Sequence, residues 1–177
     1  MDSIIIFCAK YLIFIVGLLA LGYWFTLPKK QKVEIVIYGI ITGIIAFILA
    51  KLSGIVFNDP RPFISDHVTA LFSYTADNGF PSDHTLVTAA IAATVFSVSK
   101  KWGIGLLVLS VIIGTSRVLA HVHHPIDIAG SLVFAAIGAL VAYYLTPLIS
   151  SQIGESKYGK KLGYHGSSQS ENTVTKS

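Results

Sequence analysis

Residues 33–57 read VEIVIYGIITGIIAFILAKLSGIVF, with Glu34 and Lys51 as the only charged members. A helix needs about 20 largely apolar residues to cross a hydrocarbon layer roughly 30 Å thick, and this run is long enough. Lipid offers no partners to backbone N–H and C=O groups, so such a run is read as a helix that satisfies them internally. Four further runs accompany it: Ile4 to Leu27, stopped by Pro28-Lys29-Lys30; His84 to Ser99; Trp102 to Val118; and Pro125 to Ile149. The run from His84 is the shortest. The expectation is an all-α, polytopic membrane bundle of about five transmembrane helices.

Composition points the same way. The chain has 177 residues, 53% hydrophobic and 12% charged, with mean hydropathy +0.70. A soluble domain of this size cannot hide so much apolar surface, and a disordered chain would not carry it. Cys8 is the only cysteine, which excludes a disulfide scaffold within the chain. A net charge of +4 would suggest nucleic acid in a soluble protein, but here the position of the cations carries the meaning and no nucleic-acid partner is expected. The first run is followed by its cations and lacks a small-residue cleavage site, so it reads as a retained helix rather than a signal peptide. Residues 1–149 form the expected transmembrane domain. Residues 150–177 turn polar, without periodicity, and read as a disordered tail near anionic headgroups.

Orientation follows from the lysines. Lys29, Lys30 and Lys32, then Lys100 and Lys101, then Lys157, Lys160 and Lys161 share one side of a five-span bundle, which the positive-inside rule makes cytoplasmic. The segment from Asn58 to Asp83 and the turn from Arg117 to His124 then face outward. Both arginines of the chain, Arg61 and Arg117, fall on that outer side, as do His67, His84, His121, His123 and His124. Gly39 and Gly43 form a small-xxx-small pair that would let another helix approach closely.

Ionisable groups near lipid are costly, so their gathering suggests a site. Three strings hold them: Asp59-Pro60-Arg61-Pro62, Pro81-Ser82-Asp83-His84, and Ser116-Arg117 continuing to His123 and Asp127. His123 and Asp127 are four apart and share a face at a helix start, with Pro125 suited to its first turn. There a carboxylate can take the imidazole Nδ1 proton and leave Nε2 free to attack. Arg117 offers a planar fork for phosphate oxygens. Ser82 is placed to N-cap the next helix, whose free amides make an anion site, and His84 stands where a proton donor could reach a leaving group. Arg61, between two prolines, is aimed back over the bundle. Singly, these strings also fit an interfacial pair, an exposed histidine and a snorkelling arginine; together they point to one pocket.

The strings resemble the type 2 phosphatidic acid phosphatase superfamily, whose pattern is K-x6-R-P, P-S-G-H and S-R-x5-H-x3-D. The third motif is complete here, from Ser116 to Asp127. The second has Asp83 in place of glycine, and the first keeps Arg61-Pro62 but puts Gly54 where the family has lysine, with Lys51 one turn earlier as a substitute. These departures resemble the bacterial undecaprenyl-diphosphatases associated with bacitracin resistance, over roughly Asp2 to Leu145. Superfamily members often have six spans, against five counted here. The resemblance implies a membrane lipid phosphatase of the bacterial cell membrane that hydrolyses undecaprenyl diphosphate on the extracytoplasmic face, with the tail cytoplasmic and membrane lipids as its surroundings. His123 would be the nucleophile forming a phosphohistidine, Asp127 its orienting carboxylate, and His84 the acid and then the base. Arg61, Arg117, Ser82, Asp83 and Lys51 would bind phosphate. No cofactor and no metal are expected; zinc at His121, His123 and His124 is disfavoured because His123 and His124 point apart.

Phosphatidylglycerol phosphate and phosphatidic acid are alternative substrates within the same superfamily. A transporter or proton channel is the rival outside it, although such a path should string ionisable groups through the bilayer rather than gather them at one face.

Overall fold

The computed structural model describes residues 1–155. Helices α1 (Asp2–Lys10) and α2 (Leu12–Thr26) are followed by α3 (Lys29–Val56), the short α4 (Pro62–Ser65), α5 (Asp83–Phe96), α6 (Lys100–Leu119) and α7 (Pro125–Glu155). Among the described residues there is no strand, only an isolated bridge between Pro60 and Asn78. Boundaries follow local chemistry. Pro28, in extended backbone, precedes α3, and the Ser99 hydroxyl accepts the Trp102 amide at the start of α6. Pro125 opens α7, where its missing N–H loses nothing.

Of the five expected passes, α3, α6 and α7 are single helices long and apolar enough to cross a membrane. The run from Ile4 to Leu27 is not one helix: it breaks at Tyr11, and its halves are bent by 48°. Lys10, a charge inside that run, ends α1 and lies over the Tyr11 and Phe72 rings. The remaining pass, α5, has 14 residues and rises about 21 Å, short of a full hydrocarbon layer. It can be short because protein surrounds it: α2, α3, α6 and α7 all pack on it. Thr85, Leu86, Thr88, Ala89, Ala92 and Val95 are buried along it.

The apolar centre joins Leu12 and Val16 of α2 to Ile35, Ala92, Val95, Leu106 and Ile113. Large side chains point outward instead, with Leu18, Ile40, Ile55 and Leu140 more than half exposed. A surface so apolar fits lipid rather than water. Helix α3 approaches α7 closely. A Cβ on Gly138 would lie 2.5 Å from the Thr42 carbonyl oxygen. The expected Gly39–Gly43 pair serves differently: Gly39 faces Thr94 of α5, while a Cβ on Gly43 would meet nothing within 4 Å. Helix α7 also runs past Ile149 to Glu155; the rest of the expected tail, including Lys157, Lys160 and Lys161, lies outside the described residues.

Candidate active site

Helix α6 ends in a turn that fixes the spacing of the third string. The Val122 amide bonds back to the Arg117 carbonyl and the His121 amide to that of Val118, with His121 left-handed at φ 59°. This double closure is a Schellman motif, which usually places glycine at that position. It sets His123 one residue beyond the closure and puts Arg117, in the last helical turn, beside it. His121 is held on its outer side by a bond between Nδ1 and the Thr69 carbonyl.

His123 and Asp127 meet, with Nδ1 3.0 Å from Oδ2, although His123 stands two residues ahead of α7 rather than on its face. A carboxylate only accepts, so the imidazole proton sits on Nδ1. The same Oδ2 takes the His124 amide at 2.9 Å. Both residues are buried, at 2% and 0% exposure. Ser131 locks the next turn of α7 to the start of α5, donating to the Ser82 and Asp127 carbonyls.

The other face of the imidazole carries the decisive geometry. Arg61 Nη1 lies 3.1 Å and Arg117 Nη2 3.2 Å from His123 Nε2. Two guanidiniums from different helix ends thus donate toward one unprotonated nitrogen. Burial, then Arg117 and Arg61, push the His123 imidazole down to about 3, so it is neutral at pH 7. Backbone carbonyls anchor both arginines. Arg61 Nη1 donates to Val122 at 2.7 Å and its Nε to Asp77 at 2.7 Å. The prolines on either side of Arg61 favour its extended backbone, with φ −60° and ψ 152°. Arg117 Nη1 donates to the Ala9 carbonyl at 3.0 Å. Ala9 is in the last turn of α1, where carbonyls lack helical partners and the dipole favours a cation. The break at Tyr11 is what supplies that end.

His84, half-buried in the first turn of α5, lies within electrostatic reach of Arg117 and His123. Asp83 is exposed and also within reach of both. Ser82 occupies the N-cap position, but its hydroxyl makes no capping bond and instead accepts from Thr85. Lys51 is not brought to these groups. It is exposed, with its ammonium over Phe47 one turn away on α3. A shift of three residues from Gly54 rotates a side chain by about 60° and sinks it by about 4.5 Å. The Gly54 position itself faces the loop before α5, where Asn78 donates to its carbonyl.

Several groups were not singled out from the sequence. Tyr74 and Asp77 come from the loop before α5, and Val122 and Ala9 contribute through backbone oxygen, which no motif records. Asp59 and His124 form a further layer: His124 Nδ1 lies 3.0 Å from Asp59 Oδ2, and its Nε2 3.4 Å from Asp66. Burial, then Asp127, hold the Asp59 carboxyl above its ordinary range. Ligand atoms of Asp59, His124 and Asp127 lie within 4.8 Å of one another, and the hydrogen bonds just described already link them.

Residues 31–150 match the PAP2 superfamily. The chain belongs to that superfamily. It is 34% identical to the undecaprenyl-diphosphatase BcrC of Bacillus subtilis, over 84% of this chain and 77% of that one. A Bacillus licheniformis protein named bacitracin transport permease BcrC is 32% identical over 85% of this chain and 74% of its own length. The crystal structure of Aquifex aeolicus LpxE shares the fold, with a TM-score of 0.63 over 81% of this chain and 85% of that one, at 24% identity. As a PAP2 member similar to undecaprenyl-diphosphatases, the chain is a membrane phosphatase.

Proposed function

We propose that this PAP2 phosphatase hydrolyses undecaprenyl diphosphate to undecaprenyl phosphate and inorganic phosphate through a phosphohistidine at His123. The observation that carries the reading is the convergence of both guanidiniums on His123 Nε2. A terminal phosphate entering there takes those N–H donors onto its oxygens and releases the Nε2 lone pair. Nε2 then forms a bond to the terminal phosphorus as the bond to the bridging oxygen breaks. The bridging oxygen leaves on the lipid phosphate and takes a proton from the imidazolium form of His84, which becomes neutral imidazole. The resulting phosphohistidine is cationic on the ring, and Asp127 at 3.0 Å stabilises it. In the second half His84 accepts a proton from water, whose oxygen attacks phosphorus while the P–N bond breaks. Phosphoryl transfer relies mainly on such positioning and charge, which rigid carbonyl anchors supply. Ser82, Asp83 and the first-turn amides of α5 border the phosphate.

Residues 1–149 carry this activity in the proposed arrangement, in a bacterial cell membrane. The five lysines at or beside the α2–α3 and α5–α6 turns support, through the positive-inside rule, a site on the extracytoplasmic face. The leaving group separates the candidate substrates. A lipid phosphate leaves as a weak base, whereas phosphatidic acid expels a far more basic alkoxide and leans harder on its acid. The test compares kcat/KM of the detergent-solubilised chain on undecaprenyl diphosphate, phosphatidylglycerol phosphate and phosphatidic acid, for wild type and His123→Ala. The diphosphate should rank first, and His123→Ala should abolish turnover while remaining folded. Retained turnover removes the nucleophile; a first rank for either ester removes the substrate.

A further inference from the structure

The loop before α5 brings one aromatic ring to both arginines. The Arg61 and Arg117 guanidinium carbons lie 4.4 Å and 4.8 Å from the Tyr74 ring centroid, each over the ring. The same ring meets the His123 imidazole at 6.3 Å and 65°. Tyr74 is half-buried and packs with Phe72 above Ala9, Ala120 and Val122, the segment that anchors the arginines.

Two cations side by side repel each other, and the carboxylates that answer them are exposed, Asp83 within electrostatic reach of Arg117 and Asp77 on Arg61. Asp77 touches only Arg61 and is 57% exposed, so solvent screens it. Arg117 has a carbonyl on Nη1 and no hydrogen-bond partner on Nε. The hydrogen bonds to Val122, Ala9 and His123 fix where the guanidinium edges point, and they act in the plane of each group. A tyrosine face attracts along the perpendicular, through the negative potential above the ring. An aliphatic side chain would fill the same space and leave the repulsion in place.

We propose that Tyr74 is a positioning residue for phosphate capture: its ring face holds both guanidinium planes so that their free edges aim at one point beside His123 Nε2. This rests on reading Arg61 and Arg117 as the phosphate clamp. The Tyr74 hydroxyl also reaches toward Arg117, but the ring face does the positioning, so the hydroxyl is dispensable.

The test measures kcat/KM and inhibition by orthovanadate, a phosphate mimic, on the full detergent-solubilised chain. Tyr74→Phe should stay within about threefold of wild type, while Tyr74→Leu should lose about tenfold or more in both readouts. Phenylalanine and trifluorophenylalanine at position 74 give a shape-matched pair should the leucine variant not fold. Draining the ring face should weaken orthovanadate with the fold unchanged. Equal orthovanadate affinity across that pair, or a Tyr74→Phe loss as deep as that of Tyr74→Leu, overturns the proposal. Arg117→Ala is the separate control. If it binds orthovanadate as wild type does, the clamp reading fails; if it loses binding that Tyr74→Leu keeps, only the role of Tyr74 fails.

Discussion

Asp127→Asn isolates one charge from the geometry around it. Both hydrogen bonds of the Asp127 side chain, from His123 Nδ1 and the His124 amide, end on Oδ2. An asparagine carbonyl can stand in that place and accept both, keeping the His123 proton on Nδ1. Its amide nitrogen then replaces Oδ1, which has no hydrogen-bond partner in the structure and whose carboxylate adjoins the Asp59 carboxyl. In the proposed mechanism, what disappears is the negative charge facing an imidazole that turns cationic as phosphorus is attacked. Charge centres about 4 Å apart interact by about 4 kcal/mol at an effective dielectric of about 20. At 1.36 kcal/mol per decade, that is about a thousandfold in rate. The assay is steady-state phosphate release from a polyprenyl diphosphate in detergent, and kcat should fall with KM little changed, because the arginines are untouched. A kcat within tenfold of wild type would refute the argument that Asp127 acts through its charge.

The low His123 value gives a pH expectation with a definite sign. Folding lowers this pKa, so the unfolded chain binds a proton between about pH 3 and 6.5 that the folded chain does not, and stability should decline as pH falls through that window. Histidine-selective NMR of the solubilised protein should show His123 not titrating between pH 5 and 8; a midpoint at or above 6 contradicts it. Gly138→Ala should destabilise by about 1–3 kcal/mol in thermal unfolding, because its Cβ would meet the Thr42 carbonyl oxygen at 2.5 Å, whereas Gly43→Ala should be nearly neutral. His121→Gly should keep activity and gain about 1 kcal/mol, since the left-handed turn position favours glycine; a loss of stability would show that the Thr69 contact outweighs backbone strain. Cysteines introduced near Asn58 or His124 should be labelled from outside the cell and one near Lys100 should not; the reverse pattern overturns the orientation.

Hydropathy made the class of fold readable, because run length and charge avoidance are properties of the chain alone. The bend at Tyr11 was less so. Lys10 sat inside an apolar run as its only signal, and whether a lysine ends a helix or snorkels depends on what packs beside it. The shortness of α5 was visible as the shortest run, but its cause was not: a helix surrounded by protein need not match the bilayer. In the site, His123 and Asp127 were readable from their spacing across the start of α7, although His123 stands just ahead of the helix rather than in it. Lys51 shows the limit of that logic. Nearness in sequence to the expected lysine position did not place it on the same face. Tyr74 was beyond reach, as one aromatic in a loop whose path only the folded chain defines.

The same contrast explains why the arginines hold their places without a buried counter-ion of their own. A guanidinium between prolines and another in a last helical turn are aimed by backbone, and each is then secured by a carbonyl that its own surroundings leave free. The Ala9 oxygen is open because α1 stops one residue later, and the Val122 oxygen lies just past the Schellman turn. Neutral anchors, beside one exposed carboxylate partner on Arg61, leave most of the positive charge of the pair uncancelled, which a buried carboxylate for each would not. The resting pocket therefore keeps its attraction for an anion and has only the weak acceptor Nε2 to give up when one arrives. Exchanging a neutral imidazole nitrogen for anionic phosphate oxygens adds charge–charge attraction to bonds the guanidiniums already charge-assist, and it allows bidentate geometry. Capture and activation of the nucleophile are on this account one event.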